Sequence, residues 1–252
     1  MLRRRRRALI TTGITIVLVG LYAWLFGFQT MMIWKTSRIA SKAPIVKQIP
    51  RALPDTSVST LPGTRLSYLG YDFEVPWNDL NPDKTQIYPN RVVLAFRSGR
   101  YLMFSTMPPR HFVNILQQQM GQDSFSRTLD NDAALQSDYT MWDLVLRATP
   151  DSVNLFSPRK DIARNSLLVL VKGVTIPETS GLYFVESRGL RGFQWGDPRR
   201  RPGRVVTDLF ADDGGVEFVF SGRNKQNPGG ASQAEINRVL QTVRLSSRPE
   251  LP

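Results

Sequence analysis

The sequence predicts an α+β chain: an N-terminal transmembrane helix, then one domain in which a mainly antiparallel sheet is covered by helices, an α/β/α sandwich. Three observations predict it. An uncharged apolar run of about 20 residues follows five arginines, and that length matches a bilayer core about 30 Å thick. Beyond it, strand-like runs come first, then helical ones, then a meander of strands and a last helix, a segregated order that favours an antiparallel sheet under helices. Finally, about 190 residues without an internal break or repeat suffice for one substantial core.

Arg3 to Arg7 lead into Ala8 to Phe28, with Tyr22, Trp24 and Trp34 toward the far end, where amphipathic rings favour the headgroup zone. A cleaved secretory signal is the rival reading, but its apolar part is shorter and ends at a small-residue site. Lys35, Arg38, Lys42 and Lys47 on the far side are more dispersed. Arg3, Arg4, Arg5, Arg6 and Arg7 are therefore expected to determine topology, keeping the N terminus cytoplasmic. The expected organisation is a basic segment 1–7, a transmembrane helix 8–28, a juxtamembrane linker 29–63 rich in proline toward its end, and an extracytoplasmic domain 64–248. The expected location is a membrane, with the domain on the periplasmic face of a bacterial inner membrane.

The net charge of +12 belongs mostly to this N-terminal part. Nine of the 33 basic residues lie in 1–47, which has no acidic residue, leaving 24 basic against 21 acidic beyond it. That near-balance argues against a nucleic-acid partner. The chain has no cysteine, which excludes a thioether lipid anchor and any disulfide. Pro44, Pro50, Pro54 and Pro62 punctuate Ser41 to Gly63 and disfavour both a continuous helix and a core strand.

Within the domain, Arg65 to Val75 partly alternates and ends at Pro76, giving one or two strands. Arg91 to Phe96 and Tyr101 to Thr106 flank Ser98-Gly99 as a hairpin. Helices are expected over His111 to Met120, Asp132 to Ala148 and Asp161 to Val174, from apolar residues at helical spacing. Strands follow at Gly181 to Ser187, Arg191 to Trp195, Arg204 to Phe210 and Val216 to Ser221, the last two joined through Asp212 to Gly215. Ser232-Gln233-Ala234-Glu235 is a capping box in front of the stripe Ile236, Val239, Leu240 and Val243. Whether the helical stretch 110–174 belongs to the sandwich or lies on it as a lid stays open.

The opening GYDFEVPW, Gly70 to Trp77, and the closing strand and helix from Val216 to Arg244 resemble the PsbP family of extrinsic photosynthetic proteins. The resemblance is at the level of the fold. It implies an α/β/α sandwich acting as a non-catalytic binding or assembly module, and it transfers no site residue.

Catalytic motifs are absent from the sequence: no GxSxG elbow, no Walker loop, no GxGxxG after a strand. His111 is the only histidine, which rules out a multi-histidine metal site. It stands at a helix start, where a structural role is expected. Asp130-Asn131-Asp132 with Asp138 lacks the turn glycine of a calcium loop and reads as a helix-start cluster. Asp212 and Asp213 read as turn residues. No catalytic residue, metal ligand or cofactor is therefore expected.

The candidate anion site is Arg199, Arg200, Arg201 and Arg204, in a proline-bounded loop where clustered guanidinium groups can hold phosphate or carboxylate. The loop Asn224 to Gly230 is polar and flexible by composition. Trp77, Trp142, Trp195, Tyr183, Phe184 and Phe193 are expected chiefly in the core.

The expected function is that of an anchored accessory or assembly protein whose domain binds a protein partner near the membrane, without catalysis. Two alternatives stand beside it. One is a hydrolase of a cell-envelope polymer using distant carboxylates such as Glu186, Asp208 or Glu217. The other is binding of a lipid or small apolar ligand between sheet and helix, which requires a substantial apolar cavity.

Overall fold

The computed structural model describes residues 2–54, 63–121, 137–176, 181–196, 204–212, 214–221 and 230–246, together with 123, 125, 126 and 198. Their architecture is α+β, with a mixed eight-stranded sheet and a separate three-stranded sheet. The helices are α1 (Leu2–Lys42), α2 (His111–Met120), α3 (Asp138–Arg147), α4 (Arg159–Thr175) and α5 (Gln233–Thr242). The large sheet runs in the order β1-β7-β8-β9-β10-β6-β5-β4. Its strands are β1 (Arg51–Ala52), β4 (Gln86–Tyr88), β5 (Arg91–Ala95), β6 (Tyr101–Met107), β7 (Leu182–Ser187), β8 (Leu190–Trp195), β9 (Arg204–Ala211) and β10 (Gly214–Ser221). The small sheet is β11-β3-β2, from β2 (Thr64–Tyr68), β3 (Tyr71–Val75) and β11 (Arg244–Leu245).

The large sheet is mixed rather than wholly antiparallel because β1, inside the expected linker, pairs parallel with β7. The other pairings are antiparallel. Within 29–63, α1 continues to Lys42, and Pro44–Lys47 forms a 3-10 turn that buries Ile45 and Val46 completely.

Among the described residues no helix is long and apolar enough to cross a membrane. This corrects the expected transmembrane helix 8–28, the single-pass anchor and the extracytoplasmic placement of the domain. The apolar run is only one section of a 41-residue helix that continues unbroken into a polar stretch containing Gln29, Thr30, Lys35, Thr36 and Arg38. Periodicity locates an apolar run but does not show where its helix ends or what the later turns rest on. Here those turns rest on the domain: Gln29, Thr36 and Ala40 are buried, and Gly173 of α4 meets this end of α1. A Cβ on Gly173 would come within 2.9 Å of Ile39 Cγ2 and 3.3 Å of Val46 Cγ1, so glycine there permits the close approach.

Alternation along the sheet strands divides the core into two halves. Val206 and Phe210 of β9, with Phe193 and Trp195 of β8, face α2, α3 and α4. Val205 and Leu209, with Val216 and Phe218 of β10, face α5 and the small sheet. The helical stretch thus forms a layer on one face of the sheet. On the other face Phe73, Phe104 and Phe218 meet at centroid separations of 5.0 to 5.5 Å. The stripe Ile236, Val239, Leu240 and Val243 is buried there, each side chain contributing about 1.5–3 kcal/mol.

The capping box of α5 is present: Ser232 Oγ accepts from Glu235 N, and Glu235 Oε2 accepts from Ser232 N at 2.6 Å. Ser137 caps α3 through its hydroxyl. Helix α2 has no such cap of its own, since Arg110 precedes it at φ 58°. Its first N–H groups are met from α3 instead, where Asp138 Oδ1 accepts from Phe112 N at 3.0 Å and Val113 N at 3.1 Å. A carboxylate at a helix N-terminus also complements the helix dipole.

Candidate ligand-binding site

The helix-covered face of the sheet does not close completely. A cavity of about 530 Å³ lies between α2, α3 and α4 and strands β8, β9 and β10. Its walls are apolar: Phe112 and Leu116 from α2, Met141 and Trp142 from α3, Leu170 and Val171 from α4, Trp195 from β8. Ile115 and Val174, 37% and 82% exposed, lie where it meets solvent. Helical spacing in each segment creates these walls, because residues three or four apart share one face.

The polar part of the lining comes from the sheet. In the antiparallel register of β9 and β10, Asp208 stands opposite Glu217, and directly opposite residues have Cβ atoms about 4.5–5.5 Å apart. Asp208 shares the face of Val206 and Phe210, which is why it turns toward the helices and not toward α5. It is 1% exposed, and among the described residues neither of its carboxylate oxygens has a hydrogen-bond partner. The Nε1–H of Trp142 is likewise buried without a partner.

Burial pushes the Asp208 carboxyl well above the usual carboxylate range, and the neighbouring charges of Glu217 and Asp138 push it the same way. Burial also raises Glu217, while Arg204 and His111 draw it back. A buried, unpaired carboxyl in an apolar pocket is costly to the fold, and such groups concentrate at functional sites.

The residues anticipated from sequence are distributed as follows. Of the anion-site candidates Arg199, Arg200, Arg201 and Arg204, the first three lie outside the described residues. Arg204 begins β9 and lines the cavity with its exposed side chain. Arg3 to Arg7 lie in the first turns of α1. Asp130, Asn131, Asp132, Asp213 and most of 224–230 lie outside the described residues, as does Asp197. Glu186 is exposed on β7, opposite Arg191 and two strands from Asp208. The structure therefore pairs Asp208 with Glu217 and leaves Glu186 apart. His111, expected to be structural, stacks edge-on against Phe112 near Glu217. Trp142 and Trp195 pack in the core, with ring centroids 5.5 Å apart, and also wall the cavity. The described residues contain no group of three or more potential metal ligands.

Sequence reasoning named Asp208 and Glu217 but not their register. A detectable signal was present: each is a lone acidic residue inside an otherwise β-rich apolar run.

No protein-family model, curated protein or solved structure matches this chain.

Proposed function

We propose that this protein binds a small amphipathic molecule in the cavity between its helices and sheet. The observation that carries the reading is the placement of Asp208: a fully buried carboxyl, without a hydrogen-bond partner among the described residues, lining an apolar cavity of about 530 Å³. That volume lies in the range of small-molecule sites, which combine apolar walls with few polar groups that fix orientation. The bound molecule would set its apolar part against Trp142, Trp195 and Phe112 and its polar end at the sheet. The cavity shifts the reading away from a partner-binding accessory protein. It also disfavours the polymer hydrolase, whose carboxylates should flank an open groove; Asp208 and Glu217 lie side by side beneath helices.

The test uses the indole emission of Trp142 and Trp195 together with a neutral solvatochromic dye such as Nile red. The protein should bind the dye saturably in the micromolar range. Val171→Trp, which fills the cavity from α4, should reduce that affinity at least tenfold without changing the far-ultraviolet circular dichroism. Dye binding that is unsaturable, or equal in the filled variant, would refute the reading.

A further inference from the structure

From the groups at the cavity floor, we infer that the molecule bound there is an amphipathic monoamine, with its ammonium against Asp208 and Glu217 and its apolar body against Trp142 and Trp195. The inference rests on the ligand-binding reading above and specifies the chemical class of the ligand.

Three observations carry it. First, among the described residues neither buried carboxylate oxygen of Asp208 has a donor, and Glu217 stands directly opposite it on the next strand. A hydroxyl brings a single donor to this pair. A primary ammonium brings three, together with the charge that two adjacent carboxyls favour. Second, the walls include two tryptophans, broad apolar surfaces against which the hydrocarbon body of such a ligand can pack. Third, among the described residues that line the cavity the fixed cation is Arg204, exposed at the start of β9, whereas Asp208 is buried. An anionic head would be drawn to the solvated rim and leave Asp208 unsatisfied, and a second positive charge on the ligand would be repelled by Arg204. One amine on an apolar body suits the arrangement. The buried carboxyl, held high by its surroundings, gives up its proton as the ammonium takes its place, so charge at the site stays balanced.

The experiment compares n-octylamine, n-octanol and n-octanoate by displacement of Nile red from the full chain at pH 7.5. Octylamine should bind at least tenfold more tightly than either. Asp208→Asn and Glu217→Gln, each confirmed as folded by circular dichroism, should reduce that preference to threefold or less. Two variants are used so that misfolding of one leaves the other to decide. Octanol or octanoate binding as tightly as octylamine would overturn the head-group assignment and leave the cavity reading standing. Failure of all three compounds and of the dye to bind the folded protein would overturn both.

Discussion

Asp208 and Glu217 face each other across β9 and β10, one fully buried and the other half-buried, on the face of the large sheet that α2, α3 and α4 cover without closing completely. Because Asp208 holds its proton more tightly in the folded chain than in the unfolded one, its contribution to stability is fully present below its ordinary value of 3.8 and is lost as pH rises through its elevated folded value. Asp208→Asn removes that loss. It should stabilise the protein at pH 8 by about 1–3 kcal/mol, because the neutral amide never meets the desolvation cost of the ionised carboxyl. Thermal melts should then rise by roughly 3–10 °C at pH 8 and by much less at pH 4. A lower melting temperature at pH 8 would count against a buried unpaired carboxyl.

Lys172 is a second fully buried ionisable group with a displaced titration. It is fully buried on α4, and its ammonium donates to the carbonyls of Gln48, Leu146 and Ala148, the last at 3.1 Å. It thereby ties the end of α3 and the segment after α1 to α4. Burial brings its pKa down from 10.5 to about 8, so its contribution is fully present above 10.5 and diminishes as pH falls through about 8. The wild-type denaturant midpoint should accordingly increase from pH 8 to pH 10. Lys172→Met should abolish that increase and cost about 1–3 kcal/mol for each carbonyl left without a donor. A variant as stable as wild type would mean that the three carbonyls find other partners.

Gly173, the next residue, sets how closely α4 approaches the end of α1 and the turn after it. Gly173→Val should cost about 1–3 kcal/mol through overpacking against Ile39 and Val46. Limited proteolysis checks the mechanism: cleavage should accelerate between residues 35 and 48, while the sheet resists as before.

Glu235 ties the N-terminus of α5 to Trp77, two residues beyond β3. Its Oε2 completes the capping box with Ser232, and its Oε1 accepts from Trp77 Nε1 at 2.8 Å. Ser232→Ala should cost about 0.5–2 kcal/mol, a typical cap loss. Glu235→Ala should cost more, since it also strands the buried indole N–H. The double variant should fall short of the sum, because both changes remove the same cap. Urea midpoints of the three variants measure this, and full additivity would indicate that the two residues act independently.

How far the fold was legible varied with the type of signal. The helices at His111 to Met120 and before Val243 and the strands of the meander were readable because their residues alternate or recur at the period of their own element. Elements made only by long-range pairing were not. β1, β4 and β11 span two or three residues each, and they are strands only because β7, β5 and β3 lie beside them. Likewise Asp138 read as part of a helix-start cluster, yet the helix it caps from outside is α2, a contact across 25 residues of chain.

By itself, then, the sequence determined the α+β class, the position of most elements, the capping box at Ser232 and the presence of isolated carboxyls in β-rich runs, all consequences of local period and local chemistry. Only the tertiary structure decided that Asp208 and Glu217 stand opposite each other, that α2, α3 and α4 leave a cavity over them, and that α1 ends against Gly173 instead of in a proline-rich tether. Register, helix packing and burial depend on which residues meet across the chain, and no local period specifies that.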